Sequence, residues 1–303
     1  MMKLNVDICV MTMTDLQNFH IKRSLVRDDI EYIYVFHAPL SFLTTVRHKA
    51  LDHYDTIFST GKYHDLEIRE SEKLYDLKPK KIIRTGYGVI EKMRKRYQDN
   101  FATYNSEKPK KIILIAPSWS EDNILDSCLP DLLGALMYKG WQIIVRPHPE
   151  YVKRFPDRWA AIQARHADQP PGELLLDSDF SATETIYFAD TVISDWSWIS
   201  YEYAIAVLKP VLFINTEMKI INPHWDKIPL EPLNVKLRSE IGIQLGKSEI
   251  KDKAEASVRA LLADGTAWRE KIERIQNEYL YDFGHGGEAG GKYIISRLEG
   301  DPR

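Results

Sequence analysis

Apolar positions along this chain fall into short runs separated by stretches of helix length. Asp7–Val10 is a brief apolar run, and Glu31–Phe36 (EYIYVF) is a β-branched and aromatic run that reads as a buried strand. Asp55–Ser59 (DTIFS) and Lys81–Arg84 (KIIR) read the same way, with helix-like stretches at 41–53 and 62–75 between them. The stretch 99–110 (DNFATYNSEKPK) is polar and lacks an apolar period, so it reads as a linker. Beyond it the alternation resumes. Strands are expected at Lys111–Ala116, Trp141–Arg146, Leu174–Leu176, Thr191–Ser194 and Val211–Ile214. Helices are expected at Leu125–Lys139, with Gly140 as its stop, near 157–166, at Ser181–Ala189 capped by Ser181, and at Trp198–Val207. Residues 215–247 contain Pro223, Pro229 and Pro232 and read as loop. Ser248–Leu262, Trp268–Tyr281 and Ala289–Leu298 read as helices.

This alternation argues for an α/β fold with parallel sheets covered by helices. Interrupted at 99–110, it predicts two Rossmann-like domains, 1–104 and 105–303, facing each other across a cleft. Ligands of such sheets bind beyond the carboxyl ends of the strands, so the residues directly after strands carry the functional information.

Composition narrows the choice. At 44% apolar and 28% charged the chain is ordinary globular material. No run approaches the ~18 apolar residues of a membrane span, and the N-terminal segment is too polar for a signal peptide, so the protein is not expected to cross a membrane. Cys9 and Cys128 stand far apart beside apolar runs and read as buried free thiols, which fits a reducing compartment. The net charge of −3 is uneven: residues 1–111 hold 20 Lys and Arg against 15 Asp and Glu. Within them lies the run Lys92-Met93-Arg94-Lys95-Arg96, either a solvated helix face or a patch for an anionic membrane surface. The negative total and the lack of an aromatic–basic motif argue against nucleic acid.

Five strand ends carry candidate chemistry. His37 follows EYIYVF, where an imidazole can accept a proton at neutral pH. Arg146-Pro147-His148-Pro149 follows WQIIV, where two prolines stiffen a loop carrying two groups suited to phosphate. Ser194-Asp195-Trp196-Ser197 lies between a strand and a helix, a place for an anion or a plain helix cap; Glu202, one turn on, has the reach and chemistry for a ribose diol. Ser118 follows KIILIA, and Thr85-Gly86-Tyr87-Gly88 follows KIIR. The string Asp282-Phe283-Gly284-His285-Gly286-Gly287-Glu288 reads as a phosphate loop or a hinge. No His, Cys, Asp or Glu group has metal-ligand spacing, so no metal is required, although a diphosphate donor is compatible with Mg²⁺.

The order of these strings resembles the CDP-glycerol:glycerophosphate glycerophosphotransferases, the primases and polymerases of teichoic acid and their relatives in capsule synthesis. The resemblance runs from His37 to Ile214 and is most specific in VRPHPE (145–150) and ADTVISDWSWISYEYAIAVLKPVLFI (189–214). It implies a GT-B fold whose last helix packs back on the first domain, and transfer of glycerol phosphate from a CDP-activated donor to a hydroxyl of a lipid-linked glycan, at the cytoplasmic membrane face, with CMP released. Set against that fold, the first strand and glycine-rich turn of a full N-domain are absent or very short, so the N-terminal domain is expected to be compact or truncated. By motif position, His37 matches the proposed base and His148 the histidine on the donor phosphate. Ser197 matches the first serine near the diphosphate, and Glu202 the acidic residue on the ribose. Ser118, Arg146, Ser194 and Asp195 complete the implied donor site. Ala38-Pro39 replace the family's Gly-Thr, and Trp198 replaces its second serine, which leaves the donor's alditol open. The alternatives are a GT-B glycosyltransferase or epimerase acting on a nucleotide-sugar, and a non-catalytic nucleotide-binding relative.

Overall fold

The computed structural model describes residues 3–182 and 184–300. The chain forms two compact units, and neither is one continuous segment. The first takes in Met1–Glu91, Ile220–Lys236 and Gln276–Arg303; the second Lys92–Lys219 and Leu237–Ile275. The sequence reading set its boundary at 104/105. In the structure the boundary falls earlier, and the chain returns twice to the first unit.

The first unit is a four-stranded parallel sheet of β1 (Ile8–Met11), β2 (Glu31–Val35), β3 (Thr56–Ser59) and β4 (Lys81–Arg84), in spatial order β1-β2-β3-β4. Its core gathers Ile30, Tyr32, Tyr34 and Phe36 with Leu51, Tyr54, Ile57 and Ile68. The helix Lys62–Leu74 connects β3 to β4, and the helix Gly286–Leu298 packs on β4. That last helix is latched through Glu31, whose carboxylate takes Arg297 Nε at 2.8 Å and the Tyr293 hydroxyl.

The second unit is a six-stranded parallel sheet of β5 (Lys111–Ile115), β6 (Trp141–Val145), β7 (Leu174–Leu176), β8 (Thr191–Ser194), β9 (Val211–Asn215) and β10 (Gly242–Gly246). The spatial order is β10-β9-β8-β5-β6-β7. The chain runs outward from β5 to β7, crosses back, and runs outward the other way from β8. Loops after β5 and β8 therefore leave in opposite directions, opening the crevice where doubly wound sheets bind ligands. Near-continuous apolar strands such as Ile112–Ile115 match burial on both faces. At the opposite, amino end of the central strands, Asp190 holds the buried Lys108 at 2.7 Å and accepts the Ile112 N–H at 3.0 Å, with Lys111 and Lys209 each at 3.4 Å.

Four local expectations change. Residues 41–53 are turns rather than a helix: the Thr45 hydroxyl donates to Ser41 O at 2.9 Å, the Leu43 N–H to Ser41 Oγ, and the Phe42 N–H to Glu67, so groups a helix would need are taken. The supposed linker 99–110 is largely helical, in Gly88–Asn100 and Ala102–Glu107, because Phe101 stacks on Tyr187 at 5.0 Å and Tyr104 meets Phe188. The helix expected at 125–139 is broken into Ile124–Ser127 and Leu129–Leu136, and Asn123 caps the first piece. The helix at 181–189 is Glu184–Phe188; Ser181 instead bonds Asp179. Among the described residues no helix is long and apolar enough to cross a membrane.

Candidate functional site

The crevice of the second unit is built by its two diverging loops. The Ala116 N–H reaches across to Ile193 O at 2.9 Å. The Asp195 carboxylate, fully buried, accepts the N–H groups of Ser118 (2.7 Å), Trp196 (2.7 Å) and Ile124 (3.3 Å). Burial raises its pKa against the pull of those bonds. Ser194, equally buried, donates to Ala116 O at 2.7 Å. Both side chains, expected at the donor, tie loop to loop and so shape the crevice. Arg238 supports them from below. It is 1% exposed, donates to Asp195 O at 2.6 Å, and lies between the Trp196 and Phe213 rings at 4.1 and 4.5 Å.

Ser118 and Ser197 stand at the two loops' ends. Ser118 Oγ lies 2.9 Å from Ser120 Oγ, and Ser197 precedes the helix Ile199–Val207 that carries Glu202. His148 follows β6, next to β5. Its Nδ1 accepts the Glu150 N–H at 3.1 Å, which requires a lone pair there and leaves the ring proton on Nε2. Burial, more than the nearby Lys219, lowers the pKa of this imidazole and keeps it neutral. Trp119 approaches it, ring centroids 6.3 Å apart, and Lys219 Nζ sits 3.7 Å from the Trp119 centroid.

Arg146 is placed otherwise than expected. Its guanidinium pairs with Asp177 and donates to Thr185 Oγ1 at 3.1 Å and Ala182 O at 2.6 Å, with only a tenth of the side chain exposed. It anchors the loop after β7, and a phosphate would have to compete with those bonds.

In the first unit, His37 lies exposed after β2, and partial burial lowers its pKa. Its loop is clamped. The Tyr87 hydroxyl donates to His37 O at 2.8 Å. The buried His64 stacks on Phe36 at 3.7 Å, donates from Nε2 to Leu40 O at 2.6 Å, and meets the Thr60 hydroxyl at 2.9 Å through Nδ1. Glu67, fully buried, accepts the Phe42 N–H at 3.0 Å, while its Oε1 has no hydrogen-bond partner. Burial pushes the Glu67 carboxyl up to about 8 and His64 down to about 4, so both are held neutral.

A pH signature follows. The folded protein retains the Glu67 proton that the unfolded chain loses near 4.5, so this group withdraws stability as pH rises from about 4.5 to about 8. His64 acts in the opposite sense and withdraws stability as pH falls from 6.5 to about 4. Glu67→Gln should therefore gain about 2–4 kcal/mol on wild type between pH 5 and pH 8, read from urea unfolding midpoints. Parallel pH curves for the two proteins would show instead that Glu67 is ionised in the fold.

The glycine strings make close backbone contacts. Gly86 has φ +64°, and a Cβ there would lie 2.3 Å from Tyr281 O; one on Gly286 would lie 1.7 Å from Thr85 O. The 282–288 string thus docks the start of the last helix against β4. The basic run is likewise divided. Arg94 donates to Ala206 O at 2.6 Å, Arg96 pairs with Glu184, and Lys95 pairs with Asp99, so the run is no single open patch. Lys219 and Arg238 were not singled out from the sequence, whereas Trp119 belongs to the strand-end string 116–120. Lys219 lies in a stretch read as loop, and only its contact with Trp119 marks it.

A family model described as CDP-Glycerol:Poly(glycerophosphate) glycerophosphotransferase matches residues 34–222. A comparison with curated proteins found no match. Among solved structures, the wall teichoic acid polymerase TagF (H444N variant) superposes with a TM-score of 0.58 at 15% identity, covering 97% of this chain and 74% of that one. The same variant soaked with CDPG gives 0.57 at 16%, covering 97% and 72%. A UDP-GlcNAc 2-epimerase from Methanocaldococcus jannaschii gives 0.53 at 12%, covering 89% and 70%. These likenesses bear out the α/β, GT-B-like fold class.

Proposed function

Because this chain belongs to the CDP-glycerol:poly(glycerophosphate) glycerophosphotransferase family, we propose that it transfers glycerol phosphate from CDP-glycerol, or a related CDP-alditol, to a hydroxyl of a glycan or teichoic-acid-like acceptor. The observation that carries this reading is the crevice of the second unit. Ser118, His148 and Ser197 stand at carboxyl ends of β5, β6 and β8, beside one switch point and within the family match.

The chemistry assigns one task to each group. The acceptor oxygen attacks the phosphorus that bears glycerol, and its proton passes to the neutral imidazole of His37. A new O–P bond forms while the bond from that phosphorus to the bridging oxygen breaks. CMP leaves with the electron pair. His148 offers its Nε2–H to a donor phosphate oxygen, the Ser118 and Ser197 hydroxyls offer further bonds, and Glu202 takes the ribose diol. Phosphoryl transfer of this kind depends on positioning and charge neutralisation. Mg²⁺ on the diphosphate is compatible with this scheme. The acceptor is proposed to be lipid-linked and met at the cytoplasmic membrane face, where the exposed Lys92 and Lys95 would favour anionic lipid.

The test is CMP release from CDP-glycerol with a mixed glycolipid acceptor pool, with UDP-GlcNAc as a parallel donor. Wild type should release CMP, and His148→Ala should lose about 10²-fold or more, consistent with loss of a preorganised donor. CDP-glycerol left intact while UDP-GlcNAc is consumed would overturn the donor assignment in favour of nucleotide-sugar chemistry. Full activity in His148→Ala would remove His148 from the site.

A further inference from the structure

The donor proposed above carries a diphosphate, and the cation expected to meet it, Arg146, is occupied by Asp177, Thr185 and Ala182 O. The neighbouring Arg154 lies 4.6 Å from the Trp119 ring but is paired with Glu150 at 2.9 Å. Lys219 differs from both. Its ammonium is seated on Trp119, whose ring also approaches His148, and among the described residues no carboxylate pairs with it.

We propose that Lys219, held on the Trp119 face beside His148, is the cation that neutralises the diphosphate of the nucleotide donor, and that Trp119 is the platform that aims it.

Three observations converge on this assignment. Trp119 lies in the loop that leaves β5, next to Ser118, so the platform belongs to one of the two loops that diverge at the switch point. The indole face holds a cation by its quadrupole yet leaves the ammonium N–H groups unspent, which a carboxylate would not. The ammonium is half-buried, and that burial, with a smaller contribution from Arg154, lowers its pKa. A partly desolvated charge without a counter-ion is unfavourable, and an anion binding there removes the penalty. His148 and Lys219 then divide the work. The neutral imidazole gives one directed hydrogen bond, and the ammonium supplies the charge that makes a diphosphate preferable to an uncharged ligand.

This inference rests on the donor reading above, and calorimetric titration of the full chain separates the two. Wild type, Lys219→Ala and Lys219→Arg are each titrated with CDP-glycerol and with cytidine, at low and high salt. Lys219→Ala should weaken CDP-glycerol about 10–100-fold, the effect of losing a charge-assisted contact. Cytidine affinity should hold, and the salt dependence of CDP-glycerol binding should shrink. Lys219→Arg should recover most of the loss. Unchanged CDP-glycerol affinity in Lys219→Ala overturns this proposal and leaves the donor reading intact. Equal losses for CDP-glycerol and cytidine also overturn it, since they would give Lys219 a purely structural role. A wild-type protein that binds no CDP-glycerol removes both readings together.

Discussion

CMP release by His37→Ala is expected to fall by about 10²–10⁴-fold, the usual effect of removing a general base, while CDP-glycerol binding stays near the wild-type value. The separation follows from where the residues lie. His37 belongs to the first unit, and the groups assigned to the donor belong to the second. The loop should survive the substitution, because Tyr87 on the His37 carbonyl, His64 on Leu40 and Glu67 on Phe42 hold it through groups that His37→Ala retains. The proton acceptor must be neutral, and partial burial holds the His37 pKa below the ordinary 6.5. Activity should therefore be flat at neutral pH and decline only in acid, below 6.5. A decline centred above 6.5, or a His37→Ala protein with full activity, would remove this residue as the base. Weakened CDP-glycerol binding in His37→Ala would instead give it a share in holding the donor.

Asp190→Ala should cost about 3–5 kcal/mol, the largest effect on stability expected outside the apolar core. This carboxylate is the counter-charge for Lys108, whose side chain is 1% exposed, and it also takes the Ile112 N–H. Burial alone would raise its pKa; Lys209, Lys108 and the Ile112 N–H outweigh burial and lower it. Removing it leaves a buried ammonium opposite an apolar methyl. Asp190→Asn keeps an acceptor for Ile112 and should lose less. Since the folded pKa lies below 3.8, the stabilisation is complete above that value and drains away as pH falls further. Urea midpoints for the three proteins decide it: a loss below about 1 kcal/mol in Asp190→Ala would mean that Lys108 swings out to water.

The strands were legible because parallel strands buried on both faces must be apolar throughout, and runs such as KIILIA and WQIIV have no other reading in an α/β chain. The exception is β10. Its sequence GIQLG is interrupted by glycines, and Gly242 is required because a Cβ would lie 1.9 Å from Val211 O. A close backbone approach erased the very pattern that identifies a strand. Residues 41–53 misled in the opposite way: their apolar spacing is helical, but distant Glu67 and local hydroxyls claim the backbone. The positions of His37, Ser118, His148 and Ser197 beyond strand ends were legible, since position after a strand is a local property. Position alone could not say that Arg146 would be met by Asp177 or that Asp195 would be buried. It also passed over Lys219 and Arg238, whose importance comes from rings contributed by other elements.

The interleaved composition of the first unit bears on how the protein is made. Its sheet is complete once residue 84 has been synthesised, but Gly61 and Gly86 are built to receive the backbone of 279–281, and Glu31 waits for Tyr293 and Arg297. During vectorial synthesis the second unit's six strands, finished by Gly246, can collapse while the first unit's sheet still lacks its partners from 276–298. That sheet is thus translated before the second unit and closed after it. A nascent chain stalled anywhere before residue 276 would lack these partners and leave that sheet unclosed.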